Sequence, residues 1–301
     1  MSENTLIVIL GPTATGKTDL AIEIAHRLVT EIISSDSRQI YKEIRIGTSR
    51  PSEKQLSLVK HHFIASHSIY DYYNASMFEF EVIDLLHGLF KKHKNVVMTG
   101  GSGLYIEAVC NGIDDLPVVE PEIRTKLLNR LKTEGINKLQ QELLQIDPFY
   151  FKTADIENPK RILKALEVFY MTGKPYSQFL TKPKKDRNFR IIKIGLSINR
   201  QDLYKGIDNR VDMMIKNGLE GEARSVSHAR HLNALNTVGY KEFFEYFDGK
   251  ISYEKAVELI KRNSRHYAKR QITWFSGDKD ITWFHPAKRE LIWEYLNKIL
   301  K

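Results

Sequence analysis

Residues 11–18 read GPTATGKT, which satisfies the pattern G-x-x-x-x-G-K-[ST] in full, and no other feature of the chain restricts its fold and chemistry so far. The flanks agree with the motif. An apolar run, Leu6 to Leu10, has strand length, and Leu20, Ile22, Ile24, Ala25 and Leu28 after the loop have helical spacing. Strand, glycine loop and helix is the order in which such a loop cradles phosphates. Gly11 and Gly16 allow the backbone to turn its N–H groups inward, with Pro12, Thr13, Ala14 and Thr15 forming the rim. Lys17 supplies a cation for the terminal phosphate, and the Thr18 hydroxyl is placed to ligate Mg²⁺. The helix that starts here adds its positive dipole end.

Two further strands follow from the pattern. Residues 31–35 form a short apolar run ending at Asp36, and residues 95–99 form another ending in Gly100-Gly101-Ser102-Gly103. Strands alternating with helices predict a parallel sheet whose ligands sit beyond the carboxyl ends of the strands, so Lys17, Asp36 and Ser102 converge on one edge. From Leu116 the pattern becomes helical, through Leu127, Leu128, Leu131, Leu139 and Leu143, a turn at Asp147-Pro148, and Ile162, Leu163, Leu166 and Phe169. Residues 190–197 read as a strand again. From Gln201 the tail reads as mostly helical, with breaks at Gly218, Gly239 and Gly249. The fold class is therefore α/β, a P-loop NTPase-like parallel-sheet core with a helical insertion domain. The core spans 1–115 and 190–301, and the insertion spans 116–189.

The 301 residues carry 46 Lys and Arg against 37 Asp and Glu, a net charge of +9, which favours a polyanionic partner. Between Lys160 and Arg190 there are nine basic residues (160, 161, 164, 174, 182, 184, 185, 187 and 190) against two acidic ones. Lys261, Arg262, Arg265, Lys269 and Arg270 form a second run with no acid, interleaved with His266 and Tyr267 and followed by Trp274 and Phe275. Cations mixed with aromatics suit phosphate contact and base stacking, although a solvated cationic face has the same spelling. One cysteine, Cys110, excludes an internal disulfide framework and a thiolate-rich zinc site. No stretch has membrane-spanning length and none reads as a signal peptide, so a cytoplasmic protein that binds no membrane is expected.

Several patterns fail on inspection. His61-His62, His67 and His228-x-x-His231 lack the partners of a zinc site, and Gly100-Gly101-Ser102-Gly103-Leu104 lacks the last glycine of a nucleophile elbow. A hydrolytic P-loop enzyme usually ends an apolar strand in a metal-holding Asp; here Val96-Val97-Met98 runs into Thr99 and Gly100. Asp36 is the strand-end carboxylate near the loop. A carboxylate there, without water-activating apparatus, suits activation of an acceptor group on another molecule, as in a small kinase or a transferase with a diphosphate leaving group; a turn cap or a water-mediated Mg²⁺ contact are its blander uses.

Taken together, residues 11–18 (GPTATGKT), 31–41 (EIISSDSRQIY), 46–51 (IGTSRP), 100–105 (GGSGLY), 158–168 (NPKRILKALEV), 172–175 (TGKP), 238–241 (VGYK) and 267–275 (YAKRQITWF) resemble the bacterial tRNA dimethylallyltransferase family over nearly the whole length. The resemblance implies a dimethylallyl diphosphate donor on the P-loop with Mg²⁺. It implies a tRNA anticodon stem-loop as acceptor, with its target adenine flipped into a channel, and a monomer. It makes Asp36 the general base, with Ser102 (more often threonine in the family) and Arg210 also catalytic, Arg210 at the diphosphate. By the same resemblance, Asp36, Ser37, Arg38, Gln39, Ser102, Arg124, Lys160, Arg161, Ile162, Leu163, Lys164, Asn236, Thr237, Val238, Gly239, Tyr240 and Lys241 fall where the family touches tRNA. A nucleoside or metabolite kinase, an adenylate dimethylallyltransferase and a non-catalytic RNA-binding protein remain as alternatives on the residues alone.

Overall fold

The computed structural model describes residues 4–114, 116–117, 119–181 and 185–300. In chain order the elements are β1 (Thr5–Leu10), α1 (Lys17–Arg27), β2 (Ile32–Ser34), α2 (Glu53–Leu58), β3 (His61–His62), α3 (Ala75–Leu89), β4 (Asn95–Gly100) and α4 (Gly103–Asn111). There follow α5 (Pro121–Glu134), α6 (Ile136–Ile146), α7 (Pro148–Thr153), α8 (Pro159–Thr172), β5 (Arg190–Leu196) and α9 (Arg200–Lys216). The chain ends with α10 (Leu219–Ser225), α11 (Tyr240–Phe247), α12 (Tyr253–Phe275), β6 (Ile281–Phe284) and α13 (Arg289–Ile299). Among the described residues no helix is long and apolar enough to cross a membrane.

The chain divides into two compact units, Met1–Cys110 with Arg187–Lys301, and Asn111–Asp186. The insertion thus begins and ends a few residues earlier than the change in pattern at 116 and 189. The first unit holds a 6-stranded parallel sheet in the order β3-β2-β4-β1-β5-β6. All six residues of β1 are buried, as a central strand covered on both faces requires, which is why its sequence is continuously apolar rather than alternating. The expected parallel sheet is present, and it is wider than the sequence showed. β3 has two residues, and β6 lies in the tail read as mostly helical. Both are edge strands, too short to carry a periodicity. Arg187, counted above in the first basic run, is instead mostly buried scaffold: it pairs with Glu79 at 2.7 Å and donates to the carbonyls of Ala108 and Val109 near the end of α4.

The second unit packs α5, α6 and α8 around Leu127, Leu139, Leu143, Ile162, Leu163, Ala165 and Leu166. Asn158 caps α8 by accepting from the Lys160 N–H at 3.1 Å, Pro159 occupies its first turn, and Gly173 closes it at φ 70. Where the chain enters and leaves the unit, the Lys185 N–H donates to the Asn111 carbonyl at 2.8 Å.

One loop of the first unit is braced from several sides. The Glu222 carboxylate on α10 accepts the consecutive N–H groups of Arg45, Ile46 and Gly47 at 2.7, 2.8 and 2.9 Å, and the Tyr240 hydroxyl at 2.6 Å. Burial and the Glu222 charge push the Tyr240 phenol well above its ordinary range, so it remains a donor. The Arg50 guanidinium closes the other side on the carbonyls of Tyr41, Lys42 and Ile44. Replacing Glu222 by Ala strands three N–H groups and a buried phenol together, and should lower unfolding stability by about 2–4 kcal/mol. Urea or thermal unfolding of Glu222→Ala at wild-type midpoint would show that the carboxylate does not hold the loop.

Candidate active site

The loop after β1 turns by means of residues that only small side chains allow. Gly11 sits at φ 140, and a Cβ there would lie 2.5 Å from the Leu196 carbonyl oxygen of β5. Ala14 at φ 64 and Gly16 at φ 77 complete the turn, with strain at Ala14 of the kind found in functional loops. α1 starts at Lys17 with no side-chain cap on its first turn, leaving a helix N-terminus of the kind that binds anions. The rim is self-bonded: the Thr15 hydroxyl and the Lys17 ammonium donate to the Pro12 carbonyl at 2.9 and 2.6 Å. Thr18 is partly buried on the first turn of the same helix.

Lys17, Arg210 and Asp36 act on one another electrostatically. Burial, and then the Arg210 charge, hold the Lys17 ammonium down to about 7, with Asp36 opposing. Burial likewise lowers Arg210 below its ordinary value, against the pull of Asp36. Two cations crowded into a desolvated site with one carboxylate make a place for a polyanion. Arg210 on α9 is aimed by its Nε–H, which donates to the Ser49 hydroxyl at 2.7 Å. Ser49 belongs to the loop braced by Glu222.

Asp36 follows β2. Its Oδ1 accepts the N–H groups of Arg38 and Gln39 at 2.9 and 3.2 Å, a turn that fixes the direction of the carboxylate. Ser102, at the end of the turn after β4, is buried; its hydroxyl accepts the Ser37 N–H at 2.9 Å and donates to the Ser37 hydroxyl at 3.1 Å. The Tyr267 phenol lies beside Ser102, and burial pushes it up to about 12. Ser102 is therefore a brace between β4 and the segment that bears Asp36. Gln39 is similarly engaged, its amide donating to the carbonyls of Thr48 and Ser49, both at 3.1 Å.

The sequence missed two members of this site. Glu222 lay in a stretch without a motif. Gln271 of α12 is buried, accepts the Thr13 N–H at 2.9 Å and donates to the Gly101 carbonyl at 2.9 Å. Its signal was the spacing Tyr267, Gln271, Trp274, one stripe of a helix: Tyr267 meets Ser102, Gln271 meets Gly101, and Trp274 covers Gly103.

The residues placed at tRNA by resemblance separate into surface and core. Lys160, Arg161 and Lys241 are exposed, and Lys164, Asn236, Thr237 and Val238 partly so. Arg124 is half-exposed and lies 3.5 Å from the buried Glu167. Ile162 and Leu163, by contrast, are core residues of the second unit, and Tyr240 is fully buried behind Gly239, so their side chains serve packing. The basic run on α12 divides likewise: Lys261 pairs with Asp212 at 2.6 Å and Arg265 with Asp208 at 2.5 Å, both on α9, which removes two of its five cations from the account of free charge. Lys182 and Lys184 lie outside the described residues. The histidines serve the fold, His62 on Glu31 at 2.5 Å and His228 on the Tyr70 hydroxyl at 2.9 Å.

Comparison with known proteins agrees with this geometry. The family model described as IPP transferase matches residues 39–278. The chain is 50% identical over 301 residues, all of both chains, to tRNA dimethylallyltransferase 1 of Bacteroides fragilis, and 53% identical over 281 residues, 93% of both, to the tRNA dimethylallyltransferase of Christiangramia forsetii. Among solved structures, the full-length tRNA isopentenylpyrophosphate transferase of Bacillus halodurans superposes with a TM-score of 0.70 at 32% identity, covering 99% of this chain and 96% of that one. By its sequence and by the arrangement of its sheet and loops, the chain belongs to the IPP transferase family.

Proposed function

We propose that this protein transfers a dimethylallyl group from dimethylallyl diphosphate to the exocyclic amine of the adenosine 3′ to the anticodon in tRNA, releasing diphosphate. The observation that carries the reading is the convergence of Lys17, Arg210 and Asp36 at the carboxyl edge of the sheet, two cations for a leaving group beside one oriented carboxylate. The C–O bond to the diphosphate breaks, a bond from the adenine nitrogen to the allylic carbon forms, and the nitrogen's proton passes to Asp36. The leaving group departs more readily as its charge is met by the loop N–H groups, Lys17 and Arg210. The Thr18 hydroxyl, with diphosphate oxygens and water, suits a hard cation, and Mg²⁺ bound there would supply further charge neutralisation.

Adenine's exocyclic amine is a weak nucleophile because its lone pair is delocalised into the ring. A carboxylate that accepts its proton as the new bond forms is the matching group. Asp36 suits that role because Oδ1 is tied by two backbone N–H groups, so Oδ2 is the oxygen that takes the proton. Anticodon-loop bases are unpaired and inexpensive to flip. Lys160, Arg161, Lys164, Arg124 and Lys241 are the cations proposed to position the tRNA through its phosphates. Incubation with labelled dimethylallyl diphosphate and either tRNA or AMP tests the assignment: label should enter tRNA, and label in AMP alone would make the protein a free-nucleotide enzyme.

Asp36→Asn keeps the Oδ1 acceptor and the turn but cannot take a proton. Single-turnover transfer should fall by about a hundredfold to ten-thousandfold, with tRNA affinity little changed. Transfer at near wild-type rate with both substrates saturating would remove Asp36 as the base.

Lys17 gives a pH signature. With its ammonium held at about 7, most of the side chain is neutral at pH 8 in the free protein, and the incoming diphosphate charge restores the proton. Pyrophosphate binding should therefore take up a proton at pH 8, less so towards pH 6 where Lys17 is already charged; calorimetry in buffers of different ionisation enthalpy measures this. Lys17→Met should abolish the difference. The free protein also pays for this cation, since the unfolded chain binds the proton more tightly between about 7 and 10.5, so the Lys17 contribution to stability rises with pH across that window. Equal proton uptake by wild type and Lys17→Met would place the titrating group elsewhere.

A further inference from the structure

Gln271 is a buried amide whose two ends meet the two halves of the site. Its Oε1 accepts the Thr13 N–H of the loop after β1, and its Nε2 donates to the Gly101 carbonyl of the turn that carries Ser102, each at 2.9 Å. The partners fix which end is which, because an N–H requires an acceptor and a carbonyl requires a donor. A neutral amide is the uncharged side chain of this length that offers both at once. Residue 101 is shaped to admit it: a Cβ there would overlap Gln271 Nε2. The same helix face adds Trp274, packed where a Cβ of residue 103 would lie, so α12 holds the turn at Gly101 and at Gly103.

Both segments are loops, and β1 and β4 register them only as far as Leu10 and Gly100. Beyond that point Gln271 bonds to both. Ser102 in turn bonds to both the N–H and the hydroxyl of Ser37, next to Asp36. A chain of contacts therefore runs from the Thr13 backbone through Gln271, Gly101, Ser102 and Ser37 to Asp36.

We propose that Gln271 is a positioning residue of the transfer reaction: it sets the distance between the loop that holds the diphosphate and the turn that aims Asp36, without touching either substrate. The inference rests on reading residues 11–18 as the diphosphate loop. Reaction between two bound groups is sensitive to displacements of about 1 Å, so loss of the cross-link acts on the transfer step rather than on binding.

Three variants separate positioning from mere support. Gln271→Met keeps the volume and removes both bonds. Gln271→Glu keeps the acceptor for Thr13, but as a carboxylate it faces the Gly101 carbonyl with no proton to donate; once protonated it restores both bonds. Gly101→Ala displaces the amide while leaving Gln271 in the sequence. Single-turnover transfer with both substrates saturating should fall by about tenfold to a hundredfold in Gln271→Met at every pH. In Gln271→Glu the loss, taken relative to wild type, should shrink as pH falls from 8 to 6. Gly101→Ala combined with Gln271→Met should be no slower than Gln271→Met alone. Pyrophosphate and tRNA affinities should stay within about threefold of wild type throughout.

A Gln271→Met protein that transfers at wild-type rate, a Gln271→Glu loss that does not vary with pH, or a loss confined to substrate affinity would each overturn the inference. Should Gln271→Met fail to fold, the pH profile of Gln271→Glu carries the test. Wild-type protein measured alongside distinguishes the premises. If it binds no pyrophosphate, the diphosphate-loop reading fails and the inference with it; if it binds, a failure belongs to Gln271 alone.

Discussion

The close approach of β1's end to β5 is the constraint on which the site depends. β1 lies between β4 and β5 in register, and at its last step the chain passes so near the Leu196 carbonyl that residue 11 can carry no side chain. That contact sends the backbone into the turn of Ala14 and Gly16 and starts α1 at Lys17. The parallel order then brings the ends of β2 and β4 to the same edge, so Asp36 and Ser102 reach the loop without any long connection. A shift of β1 by one residue against β5 would move the glycine away from the carbonyl and dissolve the cradle.

The electrostatics of the site follow from this geometry. A loop that turns inward and a helix that starts without a cap both leave N–H groups directed at one volume, and Lys17 and Arg210 are held beside it at a desolvation cost that lowers the pKa of each, Lys17 to about 7. Such an arrangement is poor for stability in the absence of an anion and good for binding one, a familiar exchange between stability and function. The loop around residues 45–49 shows how the second cation is kept in place. Its backbone is gathered on Glu222, and Ser49 then receives the Arg210 Nε–H.

What was legible in the sequence was what short-range rules determine. The glycine loop, its flanking strand and helix, and the carboxylate after the second strand are each local patterns with a stated cause, and they lie as read. What was illegible depends on partners far away in the chain. Nothing in residues 261–265 reveals that Lys261 and Arg265 face Asp212 and Asp208 on α9, so a count of cations overstated the free charge. Ile162 and Leu163 sit between basic neighbours in a family pattern, yet helical periodicity turns them into the core. Gln271 was hidden by the same limit: the helical stripe it shares with Tyr267 and Trp274 marks a face, but its two backbone partners lie 258 and 170 residues away.

The end of β4 explains why this scaffold suits transfer rather than hydrolysis. Where a hydrolytic relative would place a metal-holding acid, Thr99 donates its hydroxyl to the Ile9 carbonyl at 3.2 Å and stitches β4 to β1. The carboxylate that remains, Asp36, is oriented by the backbone of its own turn, and the hydroxyls of Ser37 and Ser102 stand beside it, bonded to one another. A carboxylate so placed, on the β2 side of the loop, has one oxygen held by its own turn and the other left to meet a group brought from outside. The α12 stripe of Gln271 and Trp274 lies against the turn beside it, Gln271 bonded to Gly101 and to the loop after β1 and Trp274 packed on Gly103, so one helix face touches both halves of this sheet edge.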